Sequence, residues 1–176
     1  MRRIAIALAI ATAGCYRSHQ QEAAPPLSDC TGNPATAAVV DMIESVSAPS
    51  GGFYEVALEG GGTYLFDASD PSSEIYVDIV ESRMSRGEPI YLEYERDTRL
   101  IVDVGMPMEF LVLTIEETAE GAHMTFEVSA AIHGMSSALT CYDLFLETLR
   151  TALANGTTVW VTHNSLYEII DVRTGW

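Results

Sequence analysis

Apolar and polar residues change places along this chain with two different periods, and the switches between them mark its elements. Phe53 to Glu59 alternates with period two, with Tyr54, Val56 and Leu58 on one face, and Thr63 to Asp67 returns as a second strand. Gly60-Gly61-Gly62 lies between two strands, so it reads as a hairpin turn and not as a phosphate cradle, which would sit between strand and helix. Asp70-Pro71 supplies an N-cap and a first-turn proline, and Ile75, Tyr76, Ile79, Val80 and Met84 then recur at helical spacing until Gly87. Pro89 to Glu95 and Arg99 to Val104 return to strand character.

The second half replays this order. Glu109 to Glu116 and Ala122 to Ile132 read as strands, the latter because Met124, Phe126, Val128, Ala130 and Ile132 alternate with polar neighbours. Thr140 and Asp143 make a capping-box-like start, Leu144, Phe145, Leu149 and Leu153 form an apolar face, and Gly156 is the stop. Thr157 to His163 and Tyr167 to Val172 close the pattern. Glu74-Ile75-Tyr76 answers Asp143-Leu144-Phe145, Gly87 answers Gly156, and Ile90-Tyr91-Leu92 answers Val159-Trp160-Val161. These correspondences predict an α+β fold of two tandem ββαββ units, residues 52–105 and 107–173, with helices packed on one face of antiparallel sheet. A short helix is expected over Ala35 to Val46, and the whole globular part spans residues 35–176. Units this small bury a marginal core alone, so the two halves are expected to pack as one body.

The front of the chain obeys a different logic. Met1-Arg2-Arg3 is a short positive region, Ile4 to Ala11 is unbroken Ile, Ala and Leu, and Thr12-Ala13-Gly14-Cys15 ends in small residues. That is signal-peptide order over residues 1–14, and an apolar run of about ten residues is too short for the roughly 20 a spanning helix needs. Ala13-Gly14-Cys15 resembles the lipobox of bacterial lipoproteins, with Thr12 where Leu is usual. The resemblance implies cleavage before Cys15, lipidation of its thiol, and palmitate-type acylation of the new amino group. It makes the membrane a partner through that lipid, since each buried methylene contributes about 0.8 kcal/mol. Tyr16, not Asp, comes after the cysteine, which by analogy with lipoprotein sorting leans toward the outer rather than the inner membrane of a double-membrane envelope. Residues 15–34, rich in polar residues and proline, read as a tether. The helix-then-hairpin stretches also resemble a group of uncharacterised small bacterial lipoprotein domains. Tyr94-Glu95-Arg96-Asp97 to Asp103, and more loosely His163-Asn164 to Asp171, carry that resemblance, which implies no activity.

Composition narrows the partners. Without the leader the chain keeps seven basic residues, all arginine, against 25 acidic ones, a formal charge of −18. Such a surface repels phosphate backbones, which argues against nucleic acid, while the acids are spread as a solubilising face would spread them. With Cys15 used by lipid, Cys30 and Cys141 remain as a pair expected to form a disulfide in an oxidising compartment.

Candidate chemistry is sparse. His123, His133 and His163 fall in the second half without helical ligand spacing, so neither metal nor cofactor is expected, and exposed histidines are. Gly134-Met135-Ser136-Ser137 beside His133 has the makings of a nucleophile loop but lacks the second glycine of a nucleophile elbow. Tyr91 and Trp160 occupy matching strand positions where a binding surface could lie. The pattern therefore favours a non-catalytic binding or scaffold module of the envelope, whose partner is another protein or a surface component. The alternative is a small envelope hydrolase using His133 with Ser136 or Ser137.

Overall fold

The computed structural model describes residues 30–175. Its first element is a bent strand, not the helix expected over Ala35 to Val46: Thr36–Asp41 is β1 and Ile43–Val46 is β2, with Met42 at the bend. Val39, Val40, Ile43 and Val46 satisfy a helical stripe, but they are β-branched and lose rotamer freedom in a helix. The structure buries both faces of β1, which a single helical stripe could not do. Next along the chain come Phe53–Leu58 (β3), Thr63–Asp67 (β4), helix Pro71–Arg86 (α1), Ile90–Glu95 (β5) and Ile101–Gly105 (β6). β2, β3 and β4 form one antiparallel sheet, and β1, β5 and β6 form another. The two are drawn together at their far edges by a parallel bridge from Leu65 to Leu100, where the Leu65 N–H donates to the Arg99 carbonyl at 3.0 Å.

The second half is one five-stranded sheet. Met108–Glu117 (β7), Gly121–Phe126 (β8), His133–Ser136 (β9), helix Tyr142–Asn155 (α2), Thr158–His163 (β10) and Ile169–Arg173 (β11) pair in the order β11-β10-β7-β8-β9. Its edges meet through a parallel bridge from Gly134 to Glu168, with the Gly134 N–H donating to the Tyr167 carbonyl at 3.2 Å. A bulge between Val112 and Thr114 bends β7, so that Phe110, Val112 and then Ile115 face the core while Leu113 stays outside.

These pairings overturn the expected two ββαββ units. Eleven strands and two helices occupy the described residues, in three antiparallel sheets, and the fold is β-rich. Three strand segments, not two, precede α2. The strand expected over Ala122 to Ile132 ends at Phe126, because Val128 takes a left-handed φ of +62°, and a loop then leads into the short β9. The sheets curl and nearly close instead of lying open under a helix layer, since five short twisted strands leave fewer exposed edges that way. Strand order, a helix between third and fourth strands, and parallel closure of third against fifth make each half a partly open five-stranded Greek-key barrel.

The sheet of β1 and β5 holds the halves together, because its two faces belong to different cores. Ile90 and Leu92 pack with Val56, Leu58, Phe66 and Val80 inside the first barrel. Ala38, Val40 and Tyr91, on the opposite face, join Phe110, Phe126, Leu149 and Val161 of the second. Burying each large apolar side chain contributes roughly 1.5–3 kcal/mol, so this shared sheet couples both barrels strongly. Both helices end at the expected glycines: Gly87 and Gly156 each take φ +62°, and the Glu88 and Thr157 N–H groups cap back to the Arg83 and Ala152 carbonyls. Helix α1 starts on Asp70, whose carboxylate accepts the Ser72 N–H at 2.8 Å. Helix α2 starts on Cys141 with no side-chain cap, not on the expected Thr140 box.

Candidate functional site

Strand alternation divides β8 and β9 cleanly. Ala122, Met124, Phe126, His133 and Met135 are buried, and His123, Thr125, Gly134 and Ser136 face outward. His123 lies opposite Gly134, and Gly121 opposite Ser136. On this outer face an open groove of about 230 Å³ runs over the two strands, from Thr118 and Glu120 in the β7–β8 loop to Glu168 in the β10–β11 loop. Two glycines shape it for different reasons. A Cβ at Gly121 (φ +152°) would fall on the Met135 carbonyl, so only glycine fits there. Gly134 has no such need, for a Cβ there would meet nothing within 4 Å, and the missing side chain simply leaves the groove floor open. The Ser137 N–H donates to the Glu120 carbonyl at 2.9 Å and fixes that end. At the other end Asn164 accepts the Leu166 and Glu168 N–H groups at 2.9 and 3.1 Å and donates to the Glu168 carboxylate at 2.8 Å.

Beneath the groove the barrel holds a ring cluster. His133, expected in an exposed loop, is 1% exposed inside β9. Its ring lies edge-on to Phe126 at 5.0 Å between centroids, 5.2 Å from His163 and 5.8 Å from Tyr167. Nε2 is 2.8 Å from Ser129 Oγ, and Nδ1 has no protein partner. Burial, and then the neighbouring His163, hold the His133 pKa below the ordinary imidazole value, which keeps it neutral at physiological pH. Above it Tyr167 takes φ +61°, and Ile132, Leu166 and Tyr167 are exposed.

The alternative pairing of His133 with Ser136 or Ser137 is not formed. Ser136 is three positions from His133 along β9 and so projects from the opposite face, and its hydroxyl instead accepts the Ala138 N–H at 3.2 Å. Ser129 is the serine that meets His133, with no third group on Nδ1 to orient the ring. Tyr91 is buried between the barrels, so its ring presents no surface, and desolvation followed by Glu93 drives its pKa upward. Trp160 is half-buried on the outer side of β10, between Glu109 and Arg173 and away from the groove. Among the described residues no group of three or more His, Cys, Asp or Glu is placed to hold a metal. Cys30 and Cys141 are joined by a disulfide, their Cα atoms 5.2 Å apart; Cys15 lies outside the described residues.

A second polar cluster marks the seam. Asp171 is 1% exposed; desolvation outweighs its Arg173 partner at 3.2 Å and raises its pKa to about 6. Its Oδ1 and the Thr162 hydroxyl on the paired strand have no hydrogen-bond partner. Gly105 admits this approach, since a Cβ there would press on the Thr162 methyl and on Tyr91.

Strand order and the two parallel bridges together define a class: a pair of partly open, five-stranded Greek-key barrels. Among known proteins, no family model, no curated protein and no solved structure matches this chain.

Proposed function

We propose that this protein is a lipid-anchored envelope lipoprotein whose barrels form a non-catalytic module that binds another protein through the outer face of β8 and β9. The observation that carries the binding reading is the open floor at Gly134. A strand glycine that neither backbone angle nor packing requires sits where the barrel architecture binds its ligands. The anchor rests on Arg2-Arg3, the Ile4 to Ala11 run and Ala13-Gly14-Cys15. Anchoring is tested by fractionation: Cys15→Ser is expected to lose lipid mass and leave the membrane fraction. Mature protein of unmodified mass, free in periplasm or medium, overturns it.

A photo-crosslinker placed at Ser136 in cells tests the binding face. A discrete adduct at Ser136 but not at Glu74, on the remote first helix, supports the reading, whereas equal labelling at both positions or none at Ser136 rejects it.

A further inference from the structure

Resting on that binding face, we infer that its occupant is an extended, positively charged segment of a partner protein. The groove is walled at both ends by carboxylates, Glu120 from one loop and Glu168 from the other, and arginine is absent from its lining. Both loops are held by hydrogen bonds, Glu120 through its backbone carbonyl to Ser137 and Glu168 through Asn164, so the backbone at either end of the groove is fixed before any partner arrives. Between them the floor offers a bare strand position at Gly134, flanked by His123 and Ser136 as hydrogen-bonding groups. A shallow groove open at its floor suits an extended chain lying across two strands better than a compact ligand. Exposed Ile132, in the loop just before β9, and Leu166, in the β10–β11 loop that carries Glu168, supply apolar surface beyond the charged walls.

Charge decides between ligand classes. A phosphate backbone would meet two carboxylates and no arginine to offset them. An oligosaccharide site is normally floored by an aromatic platform, and no Tyr, Trp or Phe lines this groove. A basic segment is attracted at long range by the chain's formal net charge of −16 and locally by Glu120 and Glu168.

The test uses the full chain and a fluorescent nona-arginine probe, titrated by anisotropy at about 0.15 M salt, where the Debye length of about 8 Å suppresses diffuse attraction. Gly134→Gln, which fills the floor without changing charge, and the double variant Glu120→Gln with Glu168→Gln are each expected to weaken binding at least about tenfold. Glu74→Gln with Asp78→Asn, the same charge change on α1, is expected to change it less than about twofold. Amide shifts should cluster at 118–123, 134–136 and 168.

Equal weakening by the α1 control, or no effect of Gly134→Gln, shows general charge attraction and overturns the inference. So does a neutral oligosaccharide that produces the same shifts and displaces the probe. A discrete Ser136 adduct in cells, with no saturable probe binding, removes the basic partner while leaving the binding face standing.

Discussion

Removing the Cys30–Cys141 bridge should cost more stability than any single core substitution in this chain. The two cysteines are 111 residues apart, so the bridge closes a loop containing most of both barrels. In the chain-entropy account a loop of that length raises folded-state stability by about 5 kcal/mol, by restricting the unfolded chain. A body of this size moves roughly 3 °C in Tm per kcal/mol, which gives a drop of about 15 °C. The choice of replacement matters, because Cys141 is the N-cap of α2 and has no side-chain cap bond. Serine at that position would accept an N–H of the first turn and offset roughly 1 kcal/mol of the loss. The clean perturbation is therefore the alanine pair, with the serine pair as a comparison. Urea unfolding followed by circular dichroism, on oxidised, reduced and variant protein, measures all four states. The expected order is oxidised first, then serine pair, with alanine pair and reduced protein lowest. Reduced protein within about 1 kcal/mol of oxidised, or alkylation of both thiols after unfolding without reductant, would refute the reasoning.

Asp171→Asn probes the seam. A carboxyl whose folded pKa is raised from 3.8 to about 6 adds stability below pH 4 that is lost as pH rises through 6, about 3 kcal/mol across the window. The variant should therefore gain on wild type between pH 4 and pH 7.5, and parallel Tm profiles across that range count against it. Arg83→Met should cost about 3 kcal/mol or more by urea unfolding. The buried guanidinium donates to the Pro89 carbonyl at 3.0 Å and the Pro107 carbonyl at 2.5 Å and pairs with Glu88 at 2.8 Å, tying α1 to the joint between the barrels. A loss under about 1 kcal/mol would show that joint to be held by packing alone.

Local pattern reveals what local pattern determines. Helix α1, the glycine stops at Gly87 and Gly156 and the hairpin around Gly60-Gly61-Gly62 arise from caps, φ preferences and periodicity acting within a few residues. β1 escapes such reading because a strand buried on both faces shows no alternation, and β2 because four residues are too few to show a period, so Val39, Val40, Ile43 and Val46 fit a helical period as well. β9 escapes it for a related reason: four residues, two of them Gly134 and Ser136, carry almost no hydrophobic signal. Barrel closure depends on Leu65 meeting Leu100 and Gly134 meeting Glu168, pairings about 35 residues apart that no window of sequence contains. The site is legible only in fragments. His133, Gly134 and Ser136 stand out as a loop with chemistry, yet the strand places Ser136 opposite His133 and makes the glycine a floor. Glu120 and Glu168 are two acids among 25 until the loops bring them to one groove. A useful signal lies in Gly134 itself, a strand glycine whose Cβ would meet open space.

The disulfide also bears on where the groove can work. Cys30 is bonded to the residue that starts α2, so the segment leading back toward Cys15 leaves from the second barrel, which also carries β8 and β9. With lipid on Cys15 as proposed, Cys30 would stand fifteen positions on from the anchor. At most about 3.5 Å per residue, they reach roughly 50 Å. On the proposed anchoring, the barrel bearing the groove would be confined to a shell about 50 Å deep beyond the membrane, a far smaller volume than a soluble protein explores. Such confinement would raise the effective concentration of the groove toward partners in the same shell, so that a modest intrinsic affinity for the proposed basic segment would suffice there. The anionic surface would work in the same direction, since like charge would keep anchored barrels off anionic headgroups and leave the groove free for the proposed cationic partner.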